Sequence, residues 1–319
     1  MKKIMASLVA IAALVGCSKS DDNGGGISIS EGTFPKKIVH KAENGNISYE
    51  ITNNVQGEKV LSTTSISYKR DGSIESKILI SVSYEGDYPK EATYKRSKTN
   101  GENENYTETY SFVDGKLKTT IQKYDNSDRA TTTTYSYHND GKLAKVLVEK
   151  PGNAGQNGQI EKITFVTETD YTHTGNVISA AEKRYTKDAQ GNKRDGDTSL
   201  TNYTYTFENE NLIKVTESTT EYYSTTEYTY DEKNNPLFQN FKKLMDPDYF
   251  NDAKNSKNNI LTRKTTDKYN YNNSTIVNEH VYEYTYADNN YPLTEKVFRK
   301  RTENGVEKKE LDYTTEYTY

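Results

Sequence analysis

Residues of like character recur at every second position over most of the chain. Tyr222, Ser224, Thr226, Tyr228 and Tyr230 share one parity, while Glu221, Thr225, Glu227 and Thr229 take the other. The runs Ile74, Ile78, Ile80, Val82, Tyr84 and Leu311, Tyr313, Thr315, Tyr317, Tyr319 behave in the same way. A period of two with an aromatic or aliphatic face and a Thr/Lys/Glu face belongs to a strand covered on one side and wet on the other, an antiparallel arrangement. Helical periodicity over about ten residues is absent beyond the N-terminal segment, which sets aside the α/β classes.

A longer unit overlies the alternation: aromatic, spacer, aromatic, polar turn, aliphatic. It reads Tyr110-x-Phe112…Asp114-Gly115-x-Leu117, then Tyr135-x-Tyr137…Asp140-Gly141-x-Leu143 and Tyr205-x-Phe207…Leu212. Further copies run from Tyr228-x-Tyr230 to Leu237 and from Tyr284-x-Tyr286 to Leu293, with a weaker early copy from Ile66-x-Tyr68 through Asp71-Gly72 to Ile74. Spacings vary too widely for a rigid solenoid and fit hairpins of unequal length. A two-residue loop at Asp114-Gly115 pairs Phe112 with Leu117, and a three-residue loop with Gly141 in the left-handed region pairs Tyr137 with Leu143. The wider spacings from Tyr230 to Leu237 and from Tyr286 to Leu293 ask for four-residue loops.

The expected fold is therefore all-β: an antiparallel meander of roughly 15 to 18 strands that curls into a coiled sheet or an open barrel. Two stretches interrupt it. Residues 151–158 read as a Gly/Asn loop, and residues 239–258 as an insertion carrying Phe241, Leu244, Met245, Tyr249 and Phe250, with room for a helical turn at 240–245. Five apolar side chains favour a plug over an open end of the sheet above a ligand lid.

Composition sharpens this picture. The 319 residues include 28 Tyr and 8 Phe, no Trp and one Cys, and only 32% are hydrophobic. Such a low share suggests disorder only when net charge is high, and 42 Lys+Arg here nearly cancel 46 Asp+Glu. The chain therefore folds, with tyrosine faces and β-branched residues supplying the missing apolar area.

Met1-Lys2-Lys3 followed by the apolar run Ile4 to Val15 reads as an export signal, too short to span a bilayer. Leu14-Val15-Gly16-Cys17 resembles the lipobox of bacterial lipoproteins, which implies cleavage after residue 16 and lipid on Cys17. Residues 17–32 then form a flexible tether. Within it Ser18, Lys19, Ser20, Asp21 and Asp22 resemble the acidic surface-export signal of Bacteroidota lipoproteins, implying an outer-membrane anchor with the body on the cell surface. Cleavage would remove Lys2 and Lys3 and no acid, taking the net charge from −4 to −6, which argues against a nucleic-acid partner. With no second cysteine there is no internal disulfide and no Cys-based metal site.

The Tyr-x-Tyr-Asp…Asn…Leu pattern resembles the YD (RHS-type) repeats and, more closely, a family of Bacteroidota surface lipoproteins built on such units. Phe34-Pro35-Lys36-Lys37-Ile38 looks like that family's first strand. Tyr228-Thr229-Tyr230-Asp231…Asn234-Asn235-Pro236 with Ser256-Lys257-Asn258-Asn259-Ile260 looks like its signature. The resemblance covers residues 33–319 and brings no known reaction with it.

No catalytic constellation emerges. His40, His138, His173 and His280 lie in separate strands or turns without metal-ligand spacing and read as sheet-face or surface residues. Carboxylate pairs such as Glu102/Glu104 and Asp195/Asp197 are too common to single one out. The oxygen-rich stretches 188–197 and 246–252 lack the order of a calcium loop. The expectation is a monomeric, non-enzymatic binding or adhesion module for a glycan or peptide, without cofactor or metal, anchored to the membrane through Cys17. The alternative is a structural coat protein without a small ligand.

If Cys17 carries the anchor, Cys17→Ser moves the protein from the detergent phase to the soluble fraction with its fold intact. Replacing Asp21 and Asp22 by alanine is expected to preserve acylation but abolish digestion by protease added to whole cells. Equal digestion of both forms would remove the export-signal argument.

Overall fold

The structure, a computed structural model, describes residues 34–56, 59–127, 129–156, 159–194, 198–238, 247–303 and 306–319. The signal peptide, Cys17, the tether with Ser18, Lys19, Ser20, Asp21 and Asp22, and Phe241, Leu244 and Met245 of the insertion lie outside the described residues.

Alternation produces eighteen strands in chain order. The first six are β1 (Lys37–Ala42), β2 (Ile47–Gln56), β3 (Lys59–Tyr68), β4 (Ile74–Glu85), β5 (Tyr88–Lys98) and β6 (Asn103–Val113). The next six are β7 (Lys116–Tyr124), β8 (Ala130–Tyr137), β9 (Leu143–Gln156), β10 (Gln159–Thr174), β11 (Val177–Lys187) and β12 (Ser199–Glu208). The last are β13 (Asn211–Ser218), β14 (Tyr222–Tyr230), β15 (Ile260–Tyr269), β16 (Ser274–Tyr286), β17 (Pro292–Glu303) and β18 (Val306–Thr318). Each pairs antiparallel with its neighbours in the chain, and β1 pairs with both β2 and β18. The meander thus closes into a barrel, which leaves no free sheet edge.

One rim carries the turns that follow the even-numbered strands, the 231–259 connection and both ends of the described chain. We call it the upper rim. The repeated unit marks this rim, and its turns take the expected forms. Phe112 pairs with Leu117 across Asp114 and Gly115, whose φ values are 51° and 73°. Tyr137 pairs with Leu143, and Gly141 has φ 84°. After each aliphatic the register slips by one residue: Phe112 faces Leu117 but Ser111 faces Thr119, and Tyr137 faces Leu143 but Ser136 faces Lys145. The same bulge follows Val60, Leu212, Ile260 and Pro292. A side chain from the neighbouring strand then binds the carbonyl beside the bulge. The hydroxyls of Tyr84, Tyr137, Tyr230 and Tyr319 donate to the carbonyls of Val60, Leu117, Leu212 and Pro292 at 2.9, 2.7, 2.6 and 3.0 Å. His173 does the same for Leu143, its Nε2 lying 2.8 Å from the carbonyl. The unit is thus a turn, a bulge and a latch.

Several expectations need correcting. Tyr286 pairs with Pro292, so Leu293 is the bulged residue and is 41% exposed. Tyr230 pairs with Ile260, because the insertion replaces the turn that would have ended at Leu237. The early copy lies at the opposite, lower rim, and Tyr68 binds Glu50 on the outer face at 2.7 Å. Leu311 leaves the Tyr313 face because a bulge separates them. Residues 151–156 are strand, not loop: Pro151 and Gly152 pair with Thr164 and Ile163. A Cβ on Gly152 would lie 2.4 Å from the Phe165 ring, so the ring covers the backbone that the glycine bares.

The signature segment is structural. Asp231 Oδ1 accepts from the amides of Lys233 and Asn259 at 2.9 and 3.0 Å, and Oδ2 accepts from the Tyr286 hydroxyl. Asn235 Nδ2 donates to the carbonyls of Lys254 and Ser256 at 2.7 Å each. Asn211 and Asn258 bond each other reciprocally at 3.0 and 2.9 Å. These bonds fasten the insertion to the rim at both ends. Its described part holds two 3₁₀ turns, Tyr249–Asn251 and Ala253–Asn255.

The insertion identifies the tyrosine face as the inner wall. Phe250, 8% exposed, meets the rings of Tyr171 and Tyr205 edge-on at 5.6 Å each, with Leu143, Val146 and Leu212 in the same cluster. Lys254, a few residues on, acts electrostatically on His40 and Glu295 in β1 and β17. One short segment reaches both walls only from within the lumen. Phe250 is therefore a plug residue as expected, although Leu261, an expected neighbour, is 36% exposed.

The closing seam between β1 and β18 is polar and dry. Thr315, 0% exposed, donates to Glu295 Oε1 at 3.4 Å and shares a hydrogen bond of 3.0 Å with His40 Nδ1. The rings of Tyr49 and Tyr313 flank His40 at 5.8 and 5.9 Å. Burial, helped by the Lys254 charge, pushes the His40 pKa down to about 4, and burial pushes Glu295 up against its bonds to Tyr284 and Thr315.

Two outcomes follow from the seam and the plug. His40 has a folded pKa below its unfolded value of 6.5, so its contribution is complete above that pH. It is lost as the pH falls toward 4, a change of roughly 3 kcal/mol. Glu295, with its pKa raised, works in the opposite sense, since its protonation on acidification favours the fold. Denaturant midpoints of wild type and His40→Gln over this range are expected to shift relative to one another in favour of the variant as pH falls, and parallel curves would refute the assignment. Phe250→Ala should lower stability by about 3 kcal/mol in a urea melt, the scale for a buried ring; an unmoved midpoint would mean that Phe250 is not a plug.

Candidate functional site

Strand register builds one lumenal cavity. On the inner face of the barrel Tyr171, Ala180 and Tyr203 stand side by side in β10, β11 and β12. Ala180, 4% exposed, is packed in the same cluster as Phe250 and Tyr171. Tyr203 and Tyr205, two apart in β12, project to the same side with ring centroids 6.1 Å apart and planes 16° apart, a near-parallel stack. The cavity has a volume of about 310 Å³, with Val146, Thr169 and Glu182 among its walls and Asp248 and Asn251 of the insertion over it. Concave sites with apolar rings and a few polar groups are where small ligands are held.

Its electrostatics are negative. Burial, then the charges of Glu182 and Glu217, pushes Tyr203 up to about 12. Burial also raises Tyr205, with contributions from Tyr203, Asp248, Glu182 and Glu217. Arg184 sits 2.7 Å from Glu182 and offsets part of this charge. The phenols therefore stay protonated and can donate, and the carboxylates can accept, which suits polyhydroxylated or amide-bearing ligands.

The residues singled out in the sequence fall elsewhere. His138 and His173 come together across the upper rim, ring centroids 6.0 Å apart, but their Nε2 atoms bind the carbonyls of Tyr171 and Leu143. His280 lies 4.0 Å from Asp312 on the inner wall, and His40 is in the seam, so none of the four is a plain surface residue. Glu102 and Glu104 make ordinary ion pairs with Lys98 and Arg96. Asp188 Oδ1 accepts from the amides of Gln190 and Asn192 and shapes its own turn, and Asp252 Oδ1 caps Lys254 N. Asp195, Asp197 and Asp246 lie outside the described residues. Among the described residues no group of three metal-ligating side chains comes together. Tyr203 and Glu182 drew no attention in the sequence, and Asp248 and Asn251 did so only as part of the insertion and of an oxygen-rich stretch, because register alone places the four round one space.

The outer face is charged in mid-strand. Lys145 bridges Glu168 and Asp170 at 2.7 and 3.1 Å, and Lys187 holds Glu149 at 2.7 Å. A barrel that spans a bilayer presents an apolar band there instead.

No protein-family model matches the sequence, and neither does any curated protein. Among solved structures the chain is similar to a porin-like protein from Bacteroides uniformis, at 13% identity and a TM-score of 0.37, over 89% of this chain and 97% of that one. It is also similar to TcdB2–TccC3, at 10% identity and a TM-score of 0.30, over 84% of this chain but only 16% of that one. Both likenesses are distant, and the closed all-β barrel rests on the strand pairing itself.

Proposed function

We propose that this chain is a lipid-anchored cell-surface module that binds a glycan or peptide in the barrel lumen and performs no reaction on it. The observation that carries the reading is the cavity under the insertion, where the stacked rings of Tyr203 and Tyr205 meet Glu182 and Asp248. Such rings offer apolar contact to a sugar or a peptide side chain, and the surrounding phenols and carboxylates fix its orientation. The charged outer face supports a body that stands in water, with the membrane reached through the lipid on Cys17 and the Ser18 to Asp22 stretch directing export. The YD-like family resemblance agrees with a surface lipoprotein and adds no chemistry.

The full chain carrying Cys17→Ser, screened on a glycan array and by pull-down with peptide libraries, is expected to retain a ligand that Tyr203→Ala weakens by about tenfold. Retention of nothing in either screen would favour the structural-coat alternative. Retention unaffected by Tyr203→Ala would move the site away from the cavity.

A further inference from the structure

Another stretch of the inner wall carries a guanidinium that the fold does not use. Arg263 in β15 stands in register between Tyr228 of β14 and His280 of β16, on the face that points into the lumen. Other charges nearby are matched: Arg299 holds Asp312 at 3.1 Å, and Asp312 also lies 4.0 Å from His280. Arg263 makes no ion pair among the described residues. Its Nε is buried without a hydrogen-bond partner, and its one neighbourly bond is a donation to the Tyr282 hydroxyl.

The surroundings carry charges of both signs, since Asp252 acts on Tyr228 and Glu295 on Tyr282 and Tyr313, but none of these acids pairs with Arg263. Burial raises Tyr228, Tyr282 and Tyr313, and the charge of Arg263 opposes the rise in all three. Burial lowers His280, with Arg263 and Arg299 adding to the effect and Asp312 opposing it. Lys254 adds an exposed ammonium, without an ion pair among the described residues, whose field reaches His40 and Glu295. A partly buried guanidinium with no anion costs stability and returns nothing within the fold. Its planar set of donors matches the paired oxygens of a carboxylate or sulfate.

We infer that Arg263 binds an oxyanion group of the ligand, a carboxylate or a sulfate. This rests on the reading that the lumen holds the ligand, and it narrows the ligand to one bearing such a group. Glucuronate, inorganic sulfate and neutral glucose, titrated into the full chain carrying Cys17→Ser and followed by calorimetry, separate the sources. Glucuronate tighter than sulfate indicates a carboxylate, the reverse a sulfate, and glucose is expected not to compete with either. Arg263→Gln is expected to weaken the preferred anion by about tenfold or more. If Arg263→Gln does not fold, Arg263→Lys is read in its place: it keeps the charge, loses the fork and is expected to bind more weakly than wild type. Anion affinity unchanged in the folded Arg263 variant, or no anion binding by wild type, overturns the inference. Neutral ligands retained by wild type and lost in Tyr203→Ala would leave the binding-module reading intact even then.

Discussion

A β-barrel of this kind depends on what happens to the backbone where each upper turn meets its next strand. A bulge after Leu117, Leu143, Leu212 or Pro292 turns the chain into the barrel's curvature and leaves a carbonyl beside a broken ladder. That carbonyl sits near apolar side chains, where an unmet acceptor is costly. The hydroxyl of a tyrosine at the end of the adjacent strand meets it, and at Leu143 an imidazole does so. The abundance of tyrosine follows: phenylalanine would supply the same ring without the donor. Each latch also ties one hairpin to the next, so curvature and cohesion come from the same few side chains.

The second consequence of tyrosine is an unusual interior. The inner wall mixes rings with Glu182, Glu217, Arg299 and Asp312, which find partners along and across strands, and with Arg263, whose Nε finds none. Apolar packing concentrates in the cluster round Phe250, with a smaller one at Ile80, Val82 and Ala92. A barrel of eighteen strands has more interior than 32% hydrophobic residues can fill, and the insertion fills part of the remainder. Where it stops, the cavity begins.

Much of this architecture is legible in the residues. Strict alternation in segments such as Tyr222 to Tyr230 follows from the pleat, and Asp114-Gly115 has the chemistry of a two-residue turn whatever surrounds it. Errors arose where a local rule met a non-local partner. Asn289-Asn290 looks like part of a longer loop, yet a bulge at Leu293 shortens the pairing by one. Pro151 and Gly152 read as breakers until Phe165 of the next strand covers them. Closure, too, depends on β1 meeting β18, and no short window of sequence contains that contact. The cavity was invisible for the same reason: Tyr171 and Tyr203 line it together only because both pair with Ala180 of β11.

The upper rim gathers Phe34, Tyr319 and the fastened insertion at one end of the barrel. A lipid on Cys17 would therefore hold the molecule by its stoppered end, like a cup tied down at its base. The opposite rim, where Tyr271 is 77% exposed at the tip of the β15–β16 turn, would face away from the membrane. Cargo would arrive from the outside through that mouth and travel down the lumen toward Phe250. Such an anchor would do more than retain the protein: it would set the direction in which the vessel opens.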